Sequence, residues 1–394
     1  MLVPKLRFKD FENKYVEYKL KDITDFYKGN ILSKSDIVVD GKIPCILYGE
    51  LYTRYSEITK CIISHTNNKS ENLFYSQVND VLIPCSGETA LDISTSTCVL
   101  LDNVALGGDL NILRPKKYID GKYLSYLLSN KKRITIAKYA QGDSIVHLYA
   151  DKIKNISIIL PSLEEQKKVA FVLELLSKKI EIQQRKIDTL KMYKKGLSQK
   201  LFKSIKFEKD SKKIKISEFL KERKIYSEKG LEYPHVTLSK DGIYDKTSRY
   251  NRDFLVMSKD KEYKITYLND LCYNPANLKF GVICLNEYGN AIFSPIYITL
   301  EINTEIVNER FCKHYFTRVD FINKIRKYEQ GTVYERMSVN VEDFLKHVDI
   351  FPSIKKQKEI AQNLDFIDIK LKLENKKLNM LDDYKRGLLQ QMFI

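Results

Sequence analysis

Residues Leu160 to Leu173 read LPSLEEQKKVAFVL, and residues Phe351 to Leu364 read FPSIKKQKEIAQNL. The same proline-led, glutamine-centred helix opening is therefore written twice, 191 positions apart. Two further landmarks repeat in the same order. Val78-Asn79-Asp80-Val81 returns as Leu268-Asn269-Asp270-Leu271, and Lys138-Tyr139-Ala140-Gln141-Gly142 returns as Lys327-Tyr328-Glu329-Gln330-Gly331, at offsets of 190 and 189. A fixed period of this length means tandem duplication. The chain reads as two copies of one module: a first head over 1–160, a central helix over 161–202, a second head over 203–351 and a C-terminal helix over 352–394.

The helical ends match without a gap from Pro161 to Phe202 against Pro352 to Phe393, whereas the heads share little beyond the landmarks. Similar supports carrying divergent heads suit a protein whose two heads recognise different things. Ser162 with Glu165 three residues on has the spacing of a capping box, while Ser353 has Lys356 at that place and keeps only the serine half. After each cap an apolar seam advances in steps of four and three. The first runs Val169, Leu173, Leu176, Ile180, Gln183, Ile187, Leu190, Lys194, Leu197 and Leu201; the second runs Ile360, Leu364, Ile367, Leu371, Glu374, Leu378, Leu381, Lys385, Leu388 and Met392. A 3.5-residue period held over several heptads is a coiled-coil signal. Forty helical residues span roughly 60 Å, more than one small domain covers, so the two helices are expected to pair antiparallel, with Val169 facing Met392, Gln183 facing Leu378 and Glu374 facing Ile187.

Composition narrows the function classes. The formal net charge is +16 over 394 residues, and it is spread as +4, +5, +4 and +3 over the four segments in turn. An even basic surplus favours a polyanionic partner such as nucleic acid. Seven cysteines without a CxxC pair fit a reducing compartment and no disulfide framework or zinc site. There is no run of 18 apolar residues, and Met1 to Lys21 lacks the apolar segment of a signal peptide, so a cytoplasmic chain is expected.

Each head reads as mixed α/β, giving an α+β chain overall. Ile43 to Tyr48, Asp80 to Pro84 and Ile292 to Leu300 are β-prone, and Asp120 to Lys138 and Asn308 to Lys327 read as helices. No GxxxxGK[ST] loop and no GxGxxG occur. Tyr273-Asn274-Pro275-Ala276 lacks the second proline and the aromatic of an amino-methyltransferase motif and reads as a turn. The five histidines are too dispersed for a metal site; near Cys312, a buried thiol and a surface His314 are expected. What remains is nucleic-acid contact chemistry, in which Lys and Arg hold phosphates and Arg, Lys, Asn, Gln and Ser read base edges. The first head offers Lys28, Asn30, Arg54, Ser86, Thr89, Gln141 and Ser144. The second offers Lys240, Tyr244, Lys246, Arg249 and Arg252 where cations alternate with tyrosines, then Asn274, Asn277, Lys279, Gln330 and Arg336.

The doubled helix opening, the Asn79 to Gly87 segment NDVLIPCSG, the Gly107 to Leu113 segment GGDLNIL and Tyr233 to Ile243, YPHVTLSKDGI, together resemble the specificity subunits of type I restriction-modification systems. The resemblance spans nearly the whole chain. It implies that each head is a target-recognition domain reading one half of a bipartite, asymmetric double-stranded DNA site. The helices would set the gap and, with adjoining head surfaces, dock two DNA adenine methyltransferase subunits. It further implies that this chain has no catalytic residue, metal or cofactor of its own: S-adenosylmethionine serves the methyltransferase, and ATP and Mg2+ serve restriction subunits that translocate and cleave. Two alternatives stand beside it, a recognition subunit for a fused methyltransferase-nuclease and a coiled-coil scaffold that binds protein.

Overall fold

A computed structural model describes residues 3–142, 145–227, 233–246, 262–329 and 338–394. It divides into two compact units, one formed by Met1–Arg185 with Lys376–Ile394 and the other by Lys186–Asn375. The first unit holds a five-stranded sheet in the order Thr24–Lys28, Leu110–Pro115, Val81–Pro84, Thr97–Val99 and Ile58–Thr59, and a second sheet of four short strands. The second unit holds a four-stranded sheet in the order Leu220–Glu222, Ile298–Ile302, Leu271–Tyr273 and Ile283–Leu285, beside a three-stranded sheet. The principal sheets begin alike: an early strand of the head pairs antiparallel with a later strand, which pairs antiparallel with the strand after the Asn-Asp landmark. The mixed α/β heads read from sequence are thus present. The expected strand over Ile292 to Leu300 is two, Ala291–Phe293 and Ile298–Ile302, because Pro295 cannot donate to a ladder.

Each head closes with an antiparallel ribbon that feeds its long helix. Val16–Lys19 pairs with Ser157–Leu160, and Lys212–Lys215 pairs with Val348–Phe351. The helices follow at Leu163–Ser204, 42 residues, and Ile354–Gln391, 38 residues. In the first unit, Val169, Leu173, Leu176 and Ile180 share a cluster with Leu381, Leu388 and Met392. In the second, Leu197 and Leu201 share one with Ile360 and Leu364. This is antiparallel pairing, and every seam residue from Val169 to Leu201 and from Ile360 to Met392 is buried or half-buried. Of the polar seam positions, Glu374 takes Lys186 at 2.5 Å, Lys194 pairs with Asp368, and Lys385 reaches Glu57 at 3.1 Å.

The repeated glutamine is a clamp. Gln166 is 1 % exposed. Its Nε2 donates to the carbonyls of Pro161 at 3.0 Å and Tyr118 at 3.5 Å, and its Oε1 accepts from the Asp120 amide at 3.0 Å. Gln357 does the same in the second unit, donating to Pro352 at 2.9 Å and Ile306 at 3.4 Å and accepting from Asn308 at 2.8 Å. Asp120 and Asn308 are themselves the N-caps of helices starting at Gly121 and Glu309, so one side chain ties the start of a head helix to the start of a long helix. The Asn-Asp landmark is structural as well. Asn79 and Asn269 adopt φ of 84° and 69°, a left-handed conformation that asparagine tolerates better than most residues. Each presents a buried aspartate to an arginine: Asp80 takes Arg114 at 2.9 and 2.8 Å, and Asp270 takes Arg223 at 3.1 to 3.3 Å.

The first cap departs from its sequence reading. Ser162 Oγ does accept from the Glu165 amide, at a long 3.4 Å. The Glu165 carboxylate does not complete a box but is gripped by Arg7 at 2.8 and 2.9 Å and by the Tyr15 hydroxyl at 2.9 Å. A charge-assisted fork outcompetes one backbone amide for a carboxylate that is 1 % exposed. The same N-terminal stretch is braced again where the Leu6 amide donates to the Gln391 carbonyl at 3.0 Å. In the second module Lys356 pairs with Glu359 at 3.0 Å and Glu208 at 3.6 Å instead.

His347 is 5 % exposed, lies edge-on to Phe321 and Tyr328, and has no hydrogen-bond partner at either ring nitrogen among the described residues. Burial lowers its pKa below 6.5, with Lys327 and Lys324 lowering it further and Asp349, 4.0 Å away, opposing. The unfolded chain therefore takes up the proton first. Stability that His347 permits above pH 6.5 is lost as pH falls below it.

Two outcomes follow. Gln166→Met, which keeps volume and deletes the three bonds, lowers unfolding stability by about 2–3 kcal/mol in urea titration; a near-neutral change would show that Gln166 only fills space. His347→Phe loses less stability than the parent between pH 7.5 and 5.5, a difference on the order of 1 kcal/mol. Parallel pH curves for the two chains would exclude His347 as an acid-sensitive group.

Candidate nucleic-acid interface

In the first head, four of the sequence-selected residues gather along one edge. The strand Ser86–Gly87 pairs with Val146–His147, and Gln141 exchanges both backbone hydrogen bonds with His147, at 3.0 and 2.7 Å. Ser86 is buried and its hydroxyl lies 3.0 Å from His147 Nδ1. Thr89 is exposed on the turn that follows and donates to Asp92 at 2.6 Å. Lys28 is exposed at the end of its strand, near Cys85: burial and then Asp109 push that thiol up to about 12, and Lys28 opposes them.

Arg54 and Asn30 complete the described set. Arg54 follows the short helix Glu50–Thr53, is exposed, and pairs with Glu50 at 3.4 Å. That helix packs beside the Ser86–Gly87 strand, since a Cβ on Gly87 would come within 3.6 Å of the Tyr52 ring. Asn30 is exposed and donates to the Asn72 carbonyl at 3.2 Å. Two residues that the sequence reading passed over join this edge, His147 and the exposed Tyr149, whose rings stack at 6.2 Å. Neither carries a local motif; only the pairing of strands about 60 residues apart places them there.

In the second head, two sequence-selected groups meet at Gly281. Lys240 sits at the turn of the hairpin Val236–Ser239 with Gly242–Asp245, and its Cε lies 3.6 Å from where a Cβ on Gly281 would be. Gly281, at φ +85°, ends the 3-10 helix Pro275–Phe280 that carries Asn277 and Lys279. Asn274 is turned inward as the cap of that helix, its Oδ1 accepting from Ala276 at 3.1 Å. The turn read at Tyr273 to Ala276 is the start of this element. Lys279 lies 5.3 Å over the exposed Phe280 ring, an aromatic that the sequence reading missed. Tyr244 is exposed and donates to the Asp241 carbonyl at 3.2 Å, and Lys246 is half-buried. Ser144, Arg249, Arg252, Gln330 and Arg336 lie outside the described residues.

His314 is buried, contrary to the surface position expected from sequence, because its helix turns it toward the C-terminal helix. Its Nε2 lies 2.9 Å from Asp365 and its Nδ1 4.0 Å from Asp368, so a ring and two carboxylates converge. Those carboxylates are already neutralised. Lys194 pairs with Asp368, and Arg310 approaches Asp365 at 3.3 Å, which makes the cluster an ion-pair network rather than a donor set awaiting a cation.

A profile of the type I restriction modification DNA specificity domain matches residues 12–192. A putative type I restriction enzyme MjaX specificity subunit of Methanocaldococcus jannaschii is 25 % identical over 303 residues, covering 72 % of this chain and 70 % of the relative. The type I restriction enzyme MjaVIII specificity subunit of the same organism is 29 % identical over 205 residues, 51 % of this chain and 46 % of the relative. The crystal structure of a type I restriction-modification system S subunit from M. genitalium shares the fold with a TM-score of 0.64 at 18 % identity, over 100 % of this chain and 99 % of the other. By these matches residues 12–192 carry a type I restriction modification DNA specificity domain, and the chain as a whole has the fold of an S subunit.

Proposed function

We propose that this chain is the non-catalytic subunit that chooses the DNA sequence for a type I restriction-modification complex. The observation that carries the reading is the pairing of matched supports with unlike heads. The clamp, the ribbon and the seam recur in both modules, whereas the loops around Ser86 and Gln141 in one head and around Gly281 in the other differ in length and side chains. Residues 1–160 read one half of the site and residues 203–351 the other. The exposed Lys28, Arg54 and Lys240 suit phosphate contact, and Gln141 and Asn277 suit base edges.

The long helices support a docking role for partners. Beyond the seam each carries a second apolar stripe, more than half exposed: Phe171, Leu175 and Ile182 on the first, and Phe366, Ile369, Leu373 and Met380 on the second. Steps of four, three and seven on an exposed face fit helices of another chain. Each long helix has such a stripe, in accord with two adenine methyltransferase subunits on one specificity subunit. Methyl transfer from S-adenosylmethionine belongs to those partners, and ATP- and Mg2+-dependent translocation and cleavage to restriction subunits, in the cytoplasm. Among the described residues no helix is long and apolar enough to cross a membrane.

Single-molecule methylome sequencing of a methylation-free host tests this reading. Methyladenine appears in a split motif only when this chain and its methyltransferase subunit are expressed together. The absence of new modification, with both proteins folded and associated, would defeat it. Inserting one heptad at matching points of both helices, after Gln183 and after Leu378, lengthens the gap and leaves both half-sequences unchanged. Altered half-sequences would show that the helices do not act as a ruler.

A further inference from the structure

The second unit contains a groove of about 740 Å³ between the last turns of the central helix and the helices Glu309–Phe316 and Val319–Ile325. Its lining is strongly basic. Lys191, Lys195, Lys203 and Lys206 line it from the central-helix side, all exposed, and none has an ion-pair partner among the described residues. Arg318 and Lys324 lie on the opposite wall but are engaged, with Asp320 at 3.3 Å and Asp349 at 2.8 Å. Ser198, Gln199, Thr317 and Asn323 add hydroxyl and amide groups between the cations.

The groove is not a by-product of the module. At the 191-residue offset the positions that hold the helix pair are kept: Lys194 matches Lys385, Leu197 matches Leu388 and Phe202 matches Phe393. Lys194 and Phe202 also line the groove, as does Gln199, which matches Gln390, but the other groove positions on this helix differ. Lys191 corresponds to Asp382, Ser198 to the buried Leu389, and Lys195 to Arg386, which pairs with Asp383 at 2.7 Å. One module therefore carries two free cations and a hydroxyl where the other carries a carboxylate, an engaged cation and an apolar side chain. A surface for the paired methyltransferase subunits would be expected twice, so a surface present once calls for a different occupant.

We infer that this groove is a sequence-independent phosphate-binding site, which holds the sugar-phosphate backbone of duplex DNA beside the second head. The inference rests on the reading of the chain as a DNA-recognition subunit and adds to it a contact outside the two heads' reading edges. Lys191 to Lys206 spans about 22 Å along the helix, while each DNA strand presents a phosphate every ~3.4 Å of axis. Four free lysines thus face a run of several phosphates, and hydroxyls and amides are common phosphate donors. An acidic protein segment fits less well. Among the lining residues only Val319 is an exposed large apolar side chain, so the groove lacks the apolar centre of a protein interface.

The test uses the chain purified with its methyltransferase subunits and the triple variant Lys191→Asp, Lys195→Glu, Lys203→Glu. All three side chains are exposed on helix, so the melting temperature stays at the parent value. Binding is measured from 50 to 300 mM salt on two duplexes, one carrying the methylated motif and one scrambled. The slope of log K against log salt is expected to become shallower by about 3, near 0.9 for each phosphate that is no longer neutralised, with both duplexes weakened by a similar factor of ~10 or more. The methylated motif stays the same. Unchanged slopes would overturn the inference, and so would loss of subunit association, which would mean that the groove holds a protein. Failure of the specificity reading shows separately, as no motif in the methylome, while the scrambled duplex still reports on the groove.

Discussion

One buried glutamine per module joins three pieces of backbone that would otherwise end apart: the last strand of a head, the cap of a head helix and the first turn of a long helix. Buried amide and carbonyl groups are costly when unpaired. An amide side chain can donate and accept at once, which neither a carboxylate nor an ammonium can do in this place. The proline-led opening puts a carbonyl without a competing helical donor within reach, and the glutamine meets it. The orientation of each head on its own helix segment depends on this contact, and the rest of the module is built outward from it.

That dependence explains why the sequence could be read so far. Local signals and repeat landmarks coincide with structural joints: the glutamines are clamps, the Asn-Asp pairs are left-handed turns that bury an aspartate, and the seam residues are covered. Features fixed by distant partners were not legible. Glu165 has the spacing of a capping box, and Arg7 and Tyr15, 158 and 150 positions away, redirect it. His314 looks like an ordinary helix residue until Asp365, 51 positions on, meets its ring. The loop residues were legible as a chemical class and not as a site. Ser86 and Asn274 have the side chains of base readers but are turned inward, while His147 and Phe280, which no motif marks, stand at the edges where Gln141 and Lys279 lie.

The two modules show how duplication leaves some positions held and others released. Most seam positions and both clamp glutamines keep their chemistry, because a change there leaves a cavity or an unpaired group. Exposed positions are held by no such constraint within the chain. Lys191 and Asp382 occupy the same helical place with opposite charge, a difference that folding alone does not require.

The first unit is discontinuous: its core includes Leu388, Leu389, Met392 and Phe393, whereas the second unit is one unbroken stretch, 186–375. Chains emerge from the ribosome N-terminus first, and a domain that lacks part of its core exposes apolar surface until the missing part arrives. The head synthesised first is thus the last to be completed. During translation its unfinished face, including the sites that receive Leu388 and Phe393, has to wait while nearly two hundred further residues are made, and the order of assembly runs opposite to the order of synthesis.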